Sequence, residues 1–464
     1  MMNDGAKLGK SKWFNIILFG LMGQIAWNVE NMYFNLFLFN SVYNGASQTA
    51  VDGTMSVMDA ISKMVAFSAV TAVVTTFLMG ILSDRVNKRK WFISIGYILW
   101  GIVTAVFGLI SRDRISVLFG LSDEIKILSA TVTAVIVMDC VMTFMGSTSN
   151  DSAFNAWVTD ITNTKNRATV ESVLAILPVA AMVLVMAAGG IIVGAVGYEL
   201  FFAGLGIFVV ICGVIGLFTV KDSREGKKAD EKTSFLKEFT YGFKPSVIKE
   251  NSKLYLTLVS VCCFQTAVQV FFPYLFIYLE HQMNFTFDKI IGGLLSGGTV
   301  WMICKLLITV AAVVGVVWLI ISMGKLIDKV GKDKFILISV LLFVAGLVAT
   351  GFIKSLGLFG IGIAVTFAGY GLLMILLNAA VRDFTPEDKT GMFQGIRMIF
   401  SVMLPMVIGP VIGSKICEMS NTVYVNEYGV TTAAPGNEMF WAAAVIGVLI
   451  LIPVAVLKKK GLKK

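Results

Sequence analysis

The chain has 464 residues, of which 57% are hydrophobic and 14% charged, and its mean hydropathy is +0.83. Average globular proteins carry about 25% charged residues, so this composition excludes an ordinary soluble protein, and its wealth of large apolar residues excludes a disordered one. The net charge of +9 does not indicate nucleic acid, because the Lys and Arg residues lie in short clusters between long apolar runs. The sequence predicts an integral membrane protein.

Twelve apolar runs are long enough to cross a bilayer as helices. Spans 1 to 12 are predicted at residues 13–39, 57–82, 91–110, 128–150, 168–195, 199–220, 254–280, 300–323, 335–353, 356–379, 391–414 and 438–457. A charged stretch separates the sixth span from the seventh. We therefore expect an all-α membrane fold with an N-terminal six-helix bundle (1–220), a cytoplasmic linker (221–253) and a C-terminal six-helix bundle (254–464).

The basic residues are concentrated on one side of the predicted membrane domain. With the N-terminus inside, the inner segments hold 29 Lys and Arg and the outer segments six. Cytoplasmic loops carry such an excess, which predicts both termini in the cytoplasm and a place in the cytoplasmic membrane.

The sequence has few of the residues and motifs that catalytic sites use. It has one histidine, His281, six cysteines without paired metal-ligand spacing, and no phosphate-binding GxxxxGK[ST] loop. We expect no enzyme activity, no metal site and no bound cofactor, so any energy for work should come from an ion gradient.

The two halves repeat each other. The segment GILSDRVNKRK at 80–90 returns as GKLIDKVGKDK at 324–334, and NAWVTDIT at 155–162 returns as NAAVRDFT at 378–385. A third match joins spans 1 and 7, where Gln24, Asn28 and Tyr33 correspond to Gln265, Gln269 and Tyr274. Six spans per repeat give both halves the same orientation, which is the plan of a carrier built from two parallel repeats around a midplane site.

The loop GILSDRVNKRK with its weaker copy resembles the signature loop of the major facilitator superfamily. Within that superfamily the segments NVENMYFNLFLF, NAWVTDITNTKNR and FTPEDKTGMFQGIR resemble the glycoside–pentoside–hexuronide:cation symporters and the sucrose-transporter group. The resemblance implies alternating access and a gating role for Gly80, Asp84, Arg85, Lys88, Arg89, Asp160, Arg167, Gly324, Asp328, Lys329 and Asp383. A simpler interpretation, inner positive charge alone, would suffice for Arg89 and Lys90.

One departure from the family bears on the coupling ion. In its sodium-coupled branch, carboxylates stand four and eight residues before the loop glycine, where this chain has Thr76 and Ala72. A sodium ion needs several oxygen ligands and anionic charge, so we expect protons rather than sodium to drive transport.

Ionisable residues inside spans are functional candidates, because each costs about 2.5–3.5 kcal/mol on insertion scales. We expect Glu30 to carry the proton and to face a neighbouring helix, with Asp139 as the second candidate. An alternative for Glu30 is a fixed ion pair with Lys63, Lys305 or Arg397. Asp59 and Lys63 are four residues apart and should pair locally.

The substrate candidates are amide and aromatic side chains, the groups that bind sugar hydroxyls and C–H faces. In span 1, Gln24, Asn28, Asn31 and Asn35 form one polar stripe. The predicted binding residues are Trp27, Asn28, Asn31, Gln265, Gln269, Tyr370, Asn378 and Arg397. For any of the amides, hydrogen bonding between helices is an equally good explanation, and Arg397 could instead pair with an acid.

We therefore expect a proton-coupled symporter of a sugar or glycoside that works as a monomer among membrane lipids. Two alternatives stay open at this point. One is a proton-driven exporter of drug-like or other small organic compounds, which shares the same signature loop. The other is a membrane sensor built on the same scaffold. Such a sensor would be recognised by a long soluble output domain.

Overall fold

A computed structural model describes residues 8–86, 88–162, 166–222, 243–284, 332–353, 356–386, 390–426 and 428–459. In these ranges nearly every segment is helical, and the only sheet is a two-stranded hairpin, Val423–Val425 with Thr431–Ala433. This confirms the predicted all-α membrane fold. Predicted span 8 and the gating residues Gly324, Asp328 and Lys329 lie outside the described residues.

The helices of the first half follow the predicted order. Their bounds are Lys10–Val29, Glu30–Phe34, Asn35–Phe37 and Leu38–Tyr43 (span 1), Val57–Val86 (span 2), Arg89–Phe107 (span 3), Glu124–Gly146, Ser147–Phe154 and Asn155–Ile161 (span 4) and Arg167–Thr219 (spans 5 and 6), with short helices at Gln48–Asp52 and Arg112–Phe119.

In the second half the described helices are again close to prediction. They are Pro245–Glu250 in the linker, Ser252–His281 (span 7), Lys332–Phe352 (span 9), Leu356–Phe384 (span 10), Thr390–Met398, Ile399–Met403 and Leu404–Met419 (span 11) and Glu438–Val448 and Leu451–Lys459 (span 12). Within the described ranges, nine helices are long and apolar enough to cross a membrane.

Span 4 is longer than predicted. We expected it to end at residue 150, within the polar run STSNDS (147–152), but the helix continues to Ile161. The helix tolerates these polar groups because they bond locally: the Thr148 and Ser149 hydroxyls donate to backbone carbonyls four residues earlier, at 2.7 and 2.8 Å. Hydropathy alone mistakes such a polar helical stretch for a loop.

The chain divides into two compact units, Met1–Lys232 with Val425–Thr432, and Thr233–Tyr424 with Ala433–Lys464. The main boundary lies inside the predicted linker. The tip of the hairpin belongs to the first unit because Asn426 Nδ2 donates to the Asn44 carbonyl and Gln48 Oε1 accepts from the Thr431 amide.

The echo between spans 1 and 7 has a structural counterpart. In the first unit Tyr33 lies so close to Gly189 of span 5 that no side chain would fit there, and in the second unit Tyr274 lies in the same way against Gly413 of span 11. The Tyr274 hydroxyl donates to the Pro410 carbonyl at 2.7 Å. Each half thus packs its first helix against its fifth by the same tyrosine and glycine pair.

Spans 5 and 6 form one long helix that is broken at Gly197, between the two predicted spans. This residue has φ 76° and ψ 171°, a conformation that residues with a Cβ adopt only under strain.

We expect Gly197→Ala to destabilise the protein by about 1–3 kcal/mol, because alanine would be strained at this φ. Gly204→Ala is the matched control, since a Cβ there meets nothing within 4 Å and the position is helical. The apparent melting temperature in detergent checks this. A Gly197→Ala protein that melts no lower than the Gly204→Ala protein would contradict the expectation.

Candidate functional site

Glu30 begins a short π-helical turn, Glu30–Phe34, in the middle of span 1. Such turns are uncommon and often mark functional sites, since the extra residue per turn redirects a side chain. The Glu30 side chain is buried, with 8% of the residue exposed. As predicted, it faces neighbouring helices rather than the polar stripe of its own helix.

Two hydroxyl groups contact the Glu30 carboxyl. Ser68 Oγ of span 2 donates to Glu30 Oε1 at 2.8 Å, and Thr143 Oγ1 of span 4 donates to the same oxygen at 3.2 Å. The two hydroxyl oxygens are 2.7 Å apart. Three spans of the first unit therefore meet at one carboxyl oxygen.

Asp139 lies one helical turn before Thr143 and is also buried, at 2% exposure. It is within electrostatic range of Glu30 and close to the Ser68 hydroxyl. One oxygen of each acid, Glu30 Oε2 and Asp139 Oδ1, is buried without a hydrogen-bond partner among the described residues. The structure thus brings the two predicted coupling acids together.

The ion-pair alternative for Glu30 finds no support in the described residues. Lys63 pairs with Asp59 at 2.9 Å, which confirms the predicted local pair. Arg397 donates to Asn378 Oδ1 at 3.1 Å, and the described residues form no ion pair between Arg397 and an acid. Lys305 lies outside the described residues.

Sequence reasoning missed a third acid, Asp151. It lies in the π-helical stretch of span 4, half-buried, where Ser147 Oγ donates to its Oδ2 at 2.9 Å. It is within electrostatic range of Glu30. The spacing of Asp139, Thr143, Ser147 and Asp151 at four-residue intervals was the available signal, but the predicted end of span 4 at residue 150 hid it.

The polar stripe of span 1 is only partly open. Asn28 and Asn31 are half-buried, and their Nδ2 atoms donate to the backbone carbonyls of Gln24 and Trp27 at 2.8 and 2.7 Å. Their side-chain oxygens accept no bond from the described residues. Asn35 makes the same backbone bond but is 3% exposed, so it does not belong to the open part of the stripe.

Trp27 is half-buried and contacts spans 3 and 4. Its ring packs against Trp100 of span 3, with centroids 5.0 Å apart, and its outer edge approaches Gly146 of span 4. This packing gives Trp27 a place in the interior of the first unit.

In the second unit, three predicted residues surround Met374 of span 10. Gln265 Nε2 of span 7 is 3.2 Å from the Met374 sulfur, and Asn378, which accepts from Arg397, is 3.9 Å from it. Tyr370, one turn before Met374, packs against Phe264 with ring centroids 5.3 Å apart. Gln269 lies one turn after Gln265 and packs against Gly409 of span 11.

One end of the first unit contains a buried ion pair. Arg89 Nε lies 3.4 Å from Asp160 Oδ2, with only 5% and 6% of these side chains exposed, and Arg89 Nη1 donates to Ser83 Oγ. Arg89 is therefore buried and paired with Asp160 rather than solvated. Asp222 Oδ1 accepts from the Lys90 amide at 2.9 Å and so caps span 3.

Three further predicted gating residues belong to the described part of the structure. Lys88 and Asp383 are exposed, and Gly80 lies against Ser152 of span 4. The side chains of Asp84, Arg85 and Arg167 lie outside the described part of the structure.

We expect Asp160→Asn to lower the free energy of unfolding by about 3 kcal/mol or more, because it leaves the Arg89 charge buried and unpaired. Glu199→Gln is the control. It removes the Arg114–Glu199 pair, which is 3.0 Å long but half exposed, and exposed pairs contribute at most about 1 kcal/mol. Unfolding by SDS titration measures both. Equal effects of the two substitutions would show that the Arg89–Asp160 pair does not stabilise the fold.

Known proteins share sequence and fold with this chain. Over 365 residues the chain is 22% identical to Multidrug resistance protein 2 of Bacillus subtilis (strain 168), covering 77% of this chain and 80% of that protein. Among solved structures it resembles a bacterial homologue of the human lysosomal transporter Spinster, with a TM-score of 0.64 and 12% identity, over 98% of each chain.

Two further solved structures share the fold. The xylose transporter XylE of E. coli aligns with a TM-score of 0.62 and 13% identity over 95% of each chain. The nucleoside transporter NupG aligns with a TM-score of 0.62 and 10% identity, over 97% of this chain and all of that one. The profile of the family described as Major Facilitator Superfamily matches residues 29–319 and 305–463, nearly the whole chain. The protein belongs to the Major Facilitator Superfamily of membrane transporters and is not an enzyme.

Proposed function

We propose that this transporter is a proton-coupled symporter of a sugar or glycoside that works by alternating access as a monomer. Coupling requires a group that binds a proton inside the membrane and releases it again. The observation that carries the proposal is Glu30, a buried carboxyl whose described partners are two hydroxyls and no cation. A carboxyl tied to a fixed cation would stay ionised, whereas this one can take up a proton.

The distribution of basic residues supports the orientation. The inner segments hold 29 Lys and Arg against six in the outer segments. We propose that both termini face the cytoplasm and that the protein resides in the cytoplasmic membrane.

Two groups of side chains support a polyhydroxylated substrate. Asn28 and Asn31 on span 1 keep side-chain oxygens that accept no bond from the described residues. On the second unit, Gln265, Asn378 and Arg397 present amide and guanidinium donors around Met374. Amides offer both a donor and an acceptor, which is what neighbouring sugar hydroxyls require.

Export of drug-like compounds is the second candidate. Its support is the similarity to Multidrug resistance protein 2 and an apolar groove on span 1 lined by Phe14, Ile17, Leu18, Leu21, Met22 and Ile25. An apolar organic compound would find contacts there, whereas a sugar would not.

The proton proposal predicts that Glu30→Gln keeps energy-independent substrate exchange but loses accumulation driven by a pH gradient, because glutamine cannot carry a proton. Uptake and counterflow in proteoliposomes measure the two activities. Asp59→Asn, which removes an acid from a local surface pair, is the control and should accumulate normally. Full proton-driven accumulation by Glu30→Gln would refute the proposal.

The substrate proposal predicts that a panel of sugars, glycosides and uronic acids, screened by thermal shift at two pH values, contains a stabilising compound. Asn28→Ala, Asn31→Ala and Gln269→Ala should each weaken its binding about 10-fold, the effect of one lost hydrogen bond of about 1–1.5 kcal/mol. Asn35→Ala, the buried neighbour with the same backbone bond, should leave binding unchanged.

Two results would overturn the substrate assignment. Unchanged binding in all three amide variants would remove these residues from the site. Proton-dependent accumulation of ethidium in everted vesicles, with no sugar or glycoside hit, would favour the exporter.

A further inference from the structure

Ser68 and Thr143 use their hydroxyls differently from other buried hydroxyl residues of the same unit. Thr104 and Thr131 donate to backbone carbonyls four residues earlier, at 2.8 and 2.7 Å, which is the usual bond of a hydroxyl in a membrane helix. The described bonds of Ser68 and Thr143 run instead to Glu30 and to each other, and Ser68 also reaches the carboxyl of Asp139. Both residues are buried, at 4% and 0% exposure.

The three oxygens form a closed triangle. Ser68 Oγ, Thr143 Oγ1 and Glu30 Oε1 are 2.7, 2.8 and 3.2 Å from one another, so each of the three sides has hydrogen-bond length. Each hydroxyl brings one hydrogen, and two hydrogens make only two bonds. The third bond needs a proton on the Glu30 carboxyl. The triangle is complete when Glu30 is protonated.

The same two hydroxyls serve the ionised acid. Both can rotate to donate to Glu30 Oε1, giving two charge-assisted bonds, which are stronger than bonds between neutral groups. Among the described residues, no other side chain donates a hydrogen bond to the Glu30 carboxyl. The titratable groups in electrostatic range are Asp139 and Cys140 of span 4 and Asp151 farther along it, none of which supplies positive charge.

We propose that Ser68 and Thr143 are positioning residues that take the place of a cationic partner for Glu30. They bond the ionised carboxyl strongly enough for its proton to leave, and they close the hydrogen-bonded triangle when the proton returns. The proton binds at Glu30 Oε1, and no other bond is made or broken. This inference rests on the proposed role of Glu30 as proton carrier and identifies what makes its proton exchangeable.

The test follows protonation of Glu30 directly by infrared difference spectroscopy of the purified protein during a pH titration. The carboxyl band that disappears in Glu30→Gln belongs to Glu30. In the double variant Ser68→Ala/Thr143→Val, the midpoint of this band should move to higher pH by about one unit or more, because the ionised form has lost two donors.

Matched controls separate this effect from altered packing. Ser62→Ala and Thr131→Val remove buried hydroxyls from the same two helices without touching Glu30, and both should leave the midpoint in place. The exchange Ser68→Thr/Thr143→Ser keeps both hydroxyls and should restore a midpoint near that of the unmodified protein. It also provides a folded variant if the double deletion is unstable.

The outcomes distinguish the inference from the function on which it rests. An unchanged or lowered midpoint in Ser68→Ala/Thr143→Val, or no band assignable to Glu30, overturns the positioning role. Normal proton-driven accumulation by Glu30→Gln overturns the proposed function itself. A third result is possible: Glu30→Gln loses accumulation, but the midpoint is the same with and without the two hydroxyls. In that case Glu30 is still the proton carrier, and only the positioning role of Ser68 and Thr143 is refuted.

Discussion

The structure of the first unit is organised around one constraint: a carboxylic acid lies at membrane depth without a described cationic partner. A charge in such a place is expensive, so the acid must be neutral or surrounded by donors. Here spans 2 and 4 each contribute one hydroxyl to the Glu30 carboxyl, and span 4 adds Asp139 one turn away. The hydrogen bonds that solvate the Glu30 carboxyl also join spans 1, 2 and 4 to one another.

Three of the four π-helical turns in the described residues lie at or next to these polar groups. The π-helical turn at Glu30–Phe34 begins at the buried acid, the stretch Ser147–Phe154 carries Asp151, and the turn Ile399–Met403 follows two residues after Arg397. A π-helical turn disturbs the regular hydrogen bonding of the helix and changes the direction of the side chains that follow. Regular helices form the framework, and the π-helical turns set the direction of the polar side chains.

The sequence was sufficient to predict the spans, the internal duplication and the side on which Glu30 points, because apolar length and helical periodicity follow directly from the bilayer and the backbone. It could not reveal Ser68 or Thr143, since a lone hydroxyl residue in an apolar helix carries no pattern. It also could not reveal the pairing of Arg89 with Asp160, because these residues are 71 positions apart and become neighbours only in the folded chain. Asp151 was lost because a polar stretch within a long helix has the composition of a loop.

The two halves share a helix-packing contact but differ in their buried ionisable residues. Tyr33 with Gly189 and Tyr274 with Gly413 show that the contact between the first and fifth helices is retained in both halves. The buried acids of the described residues, Glu30 and Asp139, belong to the first half, whereas the described part of the second half has Arg397 with Asn378. Glu30 has hydroxyl partners and no described cation, and the described partner of Arg397 is an amide rather than an acid. If Glu30 carries the coupling proton as proposed, a permanent ion pair with a guanidinium would keep its carboxyl ionised, and the described residues form no such pair.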